Sequence, residues 1–303
     1  MVQYLELVKR NMKIYLRDKG TVFFSLLSML IVLILMLFFL GDMSVESLTD
    51  LLSAIPGRNT GQDADNAFMF VTLWTCAGIV SINAVTVTLA VYSSMIKDRT
   101  EGRFYSICTA PVSRITISAA YITSAWICSC IICALTLVLS EIYCIVKGGV
   151  YFSFFSHLKI FGMIGVNSFT YAALMYLVAV LVKTQGAWSG IGTVVGTLVG
   201  FLGGIYLPIG SLAENIGNIL KCTPVIYGAK MFRSIMTEEI CSEIFDGTSE
   251  ILQTEYLDAM GVRLDFFGVS VSNVACIMIL LVSGIVFMAM GAAATKYMAK
   301  SNE

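Results

Sequence analysis

Six long apolar runs govern what this chain can fold into. They lie near Val22–Leu40, Phe68–Met95, Ile115–Val146, Leu158–Val182, Ala187–Ile209 and Val269–Ala294. A helix needs about 20 apolar residues to cross a hydrocarbon core roughly 30 Å thick. In lipid every backbone amide must find its partner within the structure, and runs apolar on all sides satisfy that as helices. The expected fold is therefore an all-α integral membrane protein with six transmembrane helices. Composition agrees, at 57% hydrophobic and only 13% charged residues, where ordinary soluble domains hold roughly 45–50% apolar residues. The second and third runs exceed the minimum, so they tilt or continue beyond the membrane surface.

Six crossings place both termini on one side. Residues 1–21, 96–114, Lys183 and the tail after Ala294 carry 12 of the 19 Lys+Arg but only 5 of the 20 Asp+Glu. Basic residues mark the cytoplasmic face. The expectation is a multi-pass protein of the plasma membrane with both termini and the 96–114 loop in the cytoplasm. The first run begins only after a mixed, charged stretch and is long for a secretory signal core, so a retained N-terminus is expected.

The segments between runs have patterns of their own. In residues 3–19, Leu5, Val8, Met12, Tyr15 and Leu16 share one helical face and Lys9, Arg10, Lys13 and Arg17 the other. That is an interfacial helix, basic toward anionic lipid or a partner, or a plain topology signal. A short helix is expected after Ser44, and Lys183 and Gln185 flank a tight turn that makes spans four and five antiparallel neighbours. Residues 210–268 form an outer helical segment. There Ser211 and Glu214 have capping-box spacing, and Thr223-Pro224 suits the start of a second helix running to Met236. The pair is expected as a re-entrant hairpin before the last span, followed by a third short helix ending at Gly261.

Few residues inside the runs carry chemistry. Gly192, Gly196, Gly200 and Gly204 recur every fourth position of span five. Each glycine costs a helix up to about 1 kcal/mol relative to alanine, so the run implies close helix packing or a dimer seam, with a flexible gating helix as the alternative. Asn83 and Asn167 are the deep polar residues, either interhelical hydrogen-bonding groups or part of a translocation path. His157 is the only histidine, which leaves no metal cluster and no base for a serine nucleophile at "WSGIG". No G-x-x-x-x-G-K-[ST] loop occurs, so ATP, if used, is hydrolysed by another chain. Cysteines sit mostly in the apolar runs; Cys222 and Cys241 share a polar segment and could form a disulfide.

The order of a basic interfacial helix, "RDKGTVFFSLLSMLIVLILMLFFLGD", "MIKDRTEGRFYSICTAPVSR", a glycine-rich span five and "LPIGSLAENIGNILKCTPVIYGAKMFRSIM" resembles the type-2 permease family of ATP-binding-cassette (ABC) exporters over nearly the whole chain. The most specific parts are Asp98, Arg99, Glu101 and Gly102, then Ala110-Pro111-Val112, and the Pro224-to-Arg233 stretch. One departure is Met29, where many relatives carry proline. The resemblance implies a non-enzymatic permease subunit and a dimer with a second copy or a homologous permease. It also implies an ABC ATPase subunit that uses ATP and Mg, no cofactor bound by this chain, and no nucleic-acid partner. It further implies a cytoplasmic coupling helix in the 96–114 loop. The residues add a reason: positive-inside bias accounts for the loop's basic residues but not for Asp98 and Glu101. A helix starting near Lys97 would hold both carboxylates in its first turns and stop before Pro111. Phe104, Tyr105 and Ile107 would offer the ATPase an apolar contact, with Asp98, Arg99, Glu101, Gly102 and Phe104 as the coupling residues. The competing classes are a secondary transporter, which would normally show paired intramembrane charges or an internal repeat, and a membrane scaffold or sensor without transport.

Overall fold

The computed structural model describes residues 2–35, 41–53, 55, 58–103, 112–148, 152–266 and 269–300. α1 (Val2–Arg17) and α2 (Lys19–Leu35) meet at Asp18. Its carboxylate accepts from the Thr21 amide at 3.0 Å and the Thr21 hydroxyl at 2.8 Å, which caps α2. Then follow α3 (Gly41–Ser53), α4 (Thr60–Thr100), α5 (Arg114–Gly148), α6 (Phe154–Leu181) and α7 (Gln185–Leu202). A 3-10 turn at Ile209–Ser211 leads to α8 (Glu214–Lys221), α9 (Pro224–Met236), α10 (Glu238–Ile244) and α11 (Glu250–Ala259). A minimal antiparallel hairpin, β1 (Asp265–Phe266) with β2 (Val269–Ser270), precedes α12 (Asn273–Lys300).

α4 is the core of the molecule. It runs 41 residues from Asn59, whose side chain accepts from the Gly61 amide, and 94% of its most apolar stretch is buried. α2, α3, α5, α6, α7, α9 and α10 all pack against it. Two of its buried hydroxyls find partners in its own backbone: Thr72 donates to the Phe68 carbonyl and Thr88 to that of Ala84, both at 2.8 Å. Cross-helix bonds follow the same rule, since a buried polar group without a partner is costly. Tyr92 donates to the Ala172 carbonyl at 2.7 Å, Ser129 to the Ser168 hydroxyl at 2.9 Å and Thr170 to the Leu280 carbonyl at 2.9 Å.

α12 is the peripheral element, with only 22% of its most apolar stretch buried. It lies chiefly on α6. Gly284 and Gly291 make the approach possible: a Cβ there would stand 2.9 Å from the Phe169 ring and 2.7 Å from the Tyr176 ring. Its outer side exposes Met278, Val282, Ile285, Val286 and Met290, a surface suited to lipid and not to water.

Among the described residues, α4, α5, α6 and α12 are long and apolar enough to cross a membrane, and the chain is a multi-pass membrane protein. α2 and α7 have 17 and 18 residues and stand outside that set. Span five is shorter than expected because the chain turns at Gly204, whose φ is +63°. The last span starts at Asn273 and not near Val269, since the β hairpin occupies the first apolar positions. Ser211 is no helix cap: it ends the 3-10 turn, and Ala213 starts α8 without a side-chain bond. Thr223 and Pro224 do open α9, and α11 is followed by Gly261 at φ +66°. Cys222 and Cys241 are both free, Cys222 exposed and Cys241 buried beside Thr237 on the body of the fold.

Candidate functional site

Lys97 to Glu101 do not begin a new helix; the chain turns helical again only at Arg103, and residues 104–110 lie outside the described residues. Lys97, Asp98, Arg99 and Thr100 are the last turn of α4 itself, which stops where Gly102 adopts φ +78°. No described residue lies within 4 Å of a Cβ at Gly102, and its backbone angle alone calls for a glycine. The expected helix starting at Lys97, with carboxylates in its first turns, is therefore replaced by carboxylates at a helix C-terminus. There they need basic partners to offset the dipole. Phe104, Tyr105 and Ile107 lie outside the described residues.

Asp98 has such partners. It is 3% exposed, and its Oδ2 accepts from Arg10 Nη2 of α1 at 2.8 Å and from the Tyr121 hydroxyl of α5 at 3.4 Å. Arg103 Nη1 stands 3.8 Å from the other carboxylate oxygen. Burial works to lower the Arg10 pKa, but the hydrogen bond and charge of Asp98 outweigh it and hold it above the ordinary arginine value. Tyr4 and Thr123 add a second α1–α5 bond at 2.7 Å. Arg99 Nη1 donates to the carbonyls of Ala179 and Val180 at 3.1 and 3.2 Å, the negative end of α6.

The two coupling candidates Asp98 and Arg99 thus face inward. Glu101 faces outward, with 39% of its side chain exposed, flanked by Lys97 at 4.0 Å and hydrogen-bonded by Arg103. Four elements, α1, α4, α5 and α6, meet at this end through named polar contacts, and a mixed-sign patch of Lys97, Glu101 and Arg103 remains on the surface.

The other candidates scatter. Asn83 donates to the Thr136 hydroxyl of α5 at 2.7 Å, and Asn167 to the Ser81 carbonyl at 3.0 Å. Both are buried amides joining helices. A Cβ on Gly228 would lie 2.3 Å from Asn167 Oδ1, which locks α9 against α6. The four span-five glycines do not share one seam: Gly192 faces Leu89 of α4, Gly196 faces open space, Gly200 is covered by the Tyr206 ring, and Gly204 lies in the turn after the helix. The exposed side of α7 carries a stripe of Gly186, Ser189, Gly190, Thr193, Gly196 and Thr197, beside the exposed Val194, Leu198 and Phe201.

Arg233, which in the sequence marks only the end of the family-like Pro224-to-Arg233 stretch, has a structural role of its own. It is fully buried, its guanidinium lies 4.1 Å over the Trp74 ring, and Nη2 donates to the carbonyls of Gly203 and Gly204, both at 2.9 Å. It closes the C-terminus of α7 onto α4. A lone arginine in "VIYGAKMFRSIM" was the available signal. At the same end Arg58 clasps Asp63 at 2.8 Å and donates to the Ile244 carbonyl at 2.7 Å, tying the start of α4 to α10.

Among the described residues no group of His, Cys, Asp and Glu could hold a metal ion. A family model described as ABC-2 type transporter matches residues 2–237, from α1 through the end of α9. No curated protein matches the chain.

Proposed function

Because the chain belongs to the ABC-2 type transporter family, we propose that it is the permease subunit of an ATP-driven exporter, working as a dimer on a separate ABC ATPase. The family match over residues 2–237 carries this reading. It is supported by the sequence, which offers no phosphate-cradling loop of its own. In this reading the chain crosses the membrane six times, α2 and α7 being the two shorter crossings, and both termini are cytoplasmic. α1 is the interfacial helix, and α8 and α9 are the re-entrant pair.

The end of α4 receives the ATPase. Glu101, with Lys97 and Arg103, offers the mixed-sign surface that docks in one orientation, and Gly102 sets the direction in which the chain leaves it. Asp98 and Arg99 act behind that surface, holding α1, α5 and α6 to the loop that the ATPase moves. Phe104 supplies apolar contact. The open small-residue side of α7, including Gly196, faces the second permease. Asn83 and Asn167 lie along the packed centre of each permease, where they would line the path only if the helices part.

The test is co-purification and transport. The chain is expressed with an ABC ATPase encoded beside it, the complex is reconstituted in lipid, and ATP-dependent flux is measured. Recovery of both proteins together with ATP hydrolysis dependent on the permease is expected. A chain that moves solute down an ion gradient without any ATPase would overturn the assignment.

A further inference from the structure

At the end of the molecule opposite Asp98, a cavity of about 380 Å³ opens between α9, α10, the β hairpin and the start of α12. Two cations line it. Lys230 is 5% exposed, and Asn273 Oδ1 accepts a hydrogen bond from its ammonium. An ammonium has three N–H donors, and no carboxylate among the described residues pairs with this one. A buried cation held only by a neutral amide is costly unless something else balances it.

The second cation is Arg263, half exposed at the rim, with Nη1 donating to Thr254 at 3.1 Å and Nε 4.0 Å from Asp258. Glu238 is the acidic group on the wall, and Lys159 already engages it at 3.0 Å. The thiol of Cys241 completes the titratable lining. Ser234, Ser270 and Ser272 line the same space, Ser272 just before the 28-residue α12 with its hydroxyl accepting from the Ala275 amide at 3.2 Å, at a helix end that is positive. Ammonium, guanidinium, hydroxyls and a helix N-terminus in one cavity form the donor set that oxyanions take.

We propose that this cavity binds an oxyanion, namely the phosphate of a soluble phosphate compound or of a phospholipid headgroup. Lys230 is the buried charge, Arg263 the rim charge, and the hydroxyls complete the oxygen shell.

The purified full chain in detergent is titrated with inorganic phosphate by calorimetry at constant ionic strength, with chloride as the control. In parallel it is incorporated in nanodiscs of phosphatidylglycerol, and lipid retained after detergent extraction is measured by native mass spectrometry. Lys230→Gln and Arg263→Gln are compared with wild type. Phosphate binding weakened about tenfold or more in both variants, or phosphatidylglycerol retained by wild type and lost from both, supports the site. The first result assigns soluble phosphate as the source and the second a lipid headgroup. Arg263 is on the rim, so its variant decides the matter even if Lys230→Gln misfolds. Wild type holding neither probe, or Arg263→Gln holding as strongly as wild type whichever probe wild type holds, overturns it.

Discussion

Asp98 and Glu101 are three positions apart and have different work. Asp98 is the buried hub of α1, α4 and α5, so Asp98→Asn should cost about 1–3 kcal/mol, the range for breaking a charged hydrogen bond whose partner can still reach water. The measurement is the melting temperature of the purified chain. Glu101→Ala removes only a surface charge and should shift stability by less than about 1 kcal/mol, while lowering ATP-driven transport at equal expression. If Glu101→Ala transports normally, the surface it belongs to is a topology signal and not a docking site. A third residue gives a pH signature. His157 Nε2 lies 3.0 Å from Glu141 where α5 and α6 meet. Burial works to lower its pKa, but the bonds to Glu141 and the Ser153 carbonyl prevail and raise it above the usual histidine value. A raised folded-state pKa adds stability that is complete below the unfolded value near 6.5 and is lost as pH rises through the folded value. The melting temperature of wild type should therefore fall more between about pH 6 and pH 8 than that of His157→Gln; equal slopes would remove the histidine from the account.

Among the elements, α7 separates what was legible from what was not. The four-residue glycine spacing was plain, but not what each glycine would face. Four residues turn a helix by roughly 40° beyond a full circle, so a strict four-residue stripe spirals from α4 at Gly192 to open space at Gly196. The sequence holds no information on where α4 or Tyr206 stands. Gly200→Leu should therefore lower the stability of the single chain by about 1–3 kcal/mol, because a Cβ there would already sit 2.2 Å from the Tyr206 ring. Gly196→Leu should leave that stability unchanged and weaken association of two permeases, read by cross-linking in membranes. Identical behaviour of the two variants would place the seam elsewhere. The end of α4 teaches the same lesson. Charge in "KDRTEGR" was readable, but the pairing of Asp98 with Arg10, 88 residues away, was not, and a helix C-terminus was taken for an N-terminus. Apolar run length did locate α4, α5, α6 and α12, because lipid leaves little choice of backbone structure.

At the scale of the whole molecule, the charged contacts divide between two ends. Arg10, Asp98 and Arg99 gather at one, and Arg58, Asp63, Arg233 and the Lys230 cavity at the other, with α4 running between them. The charge asymmetry predicts which end is inside: on a cysteine-free background Thr100→Cys should react with a membrane-impermeant reagent only after the cells are opened, and Glu250→Cys in intact cells. The reverse pattern would invert the topology. α4 is continuous over 41 residues, and at 1.5 Å per residue that makes a rod roughly 60 Å long, about twice the hydrocarbon thickness. A rod of that length is a lever arm. Pivoted near the Arg58–Asp63 clasp, a tilt of only about 5° sweeps the tip at Asp98 through about 5 Å, close to one turn of a helix, and because Arg10 and Tyr121 grip that tip, α1 and α5 must travel with it.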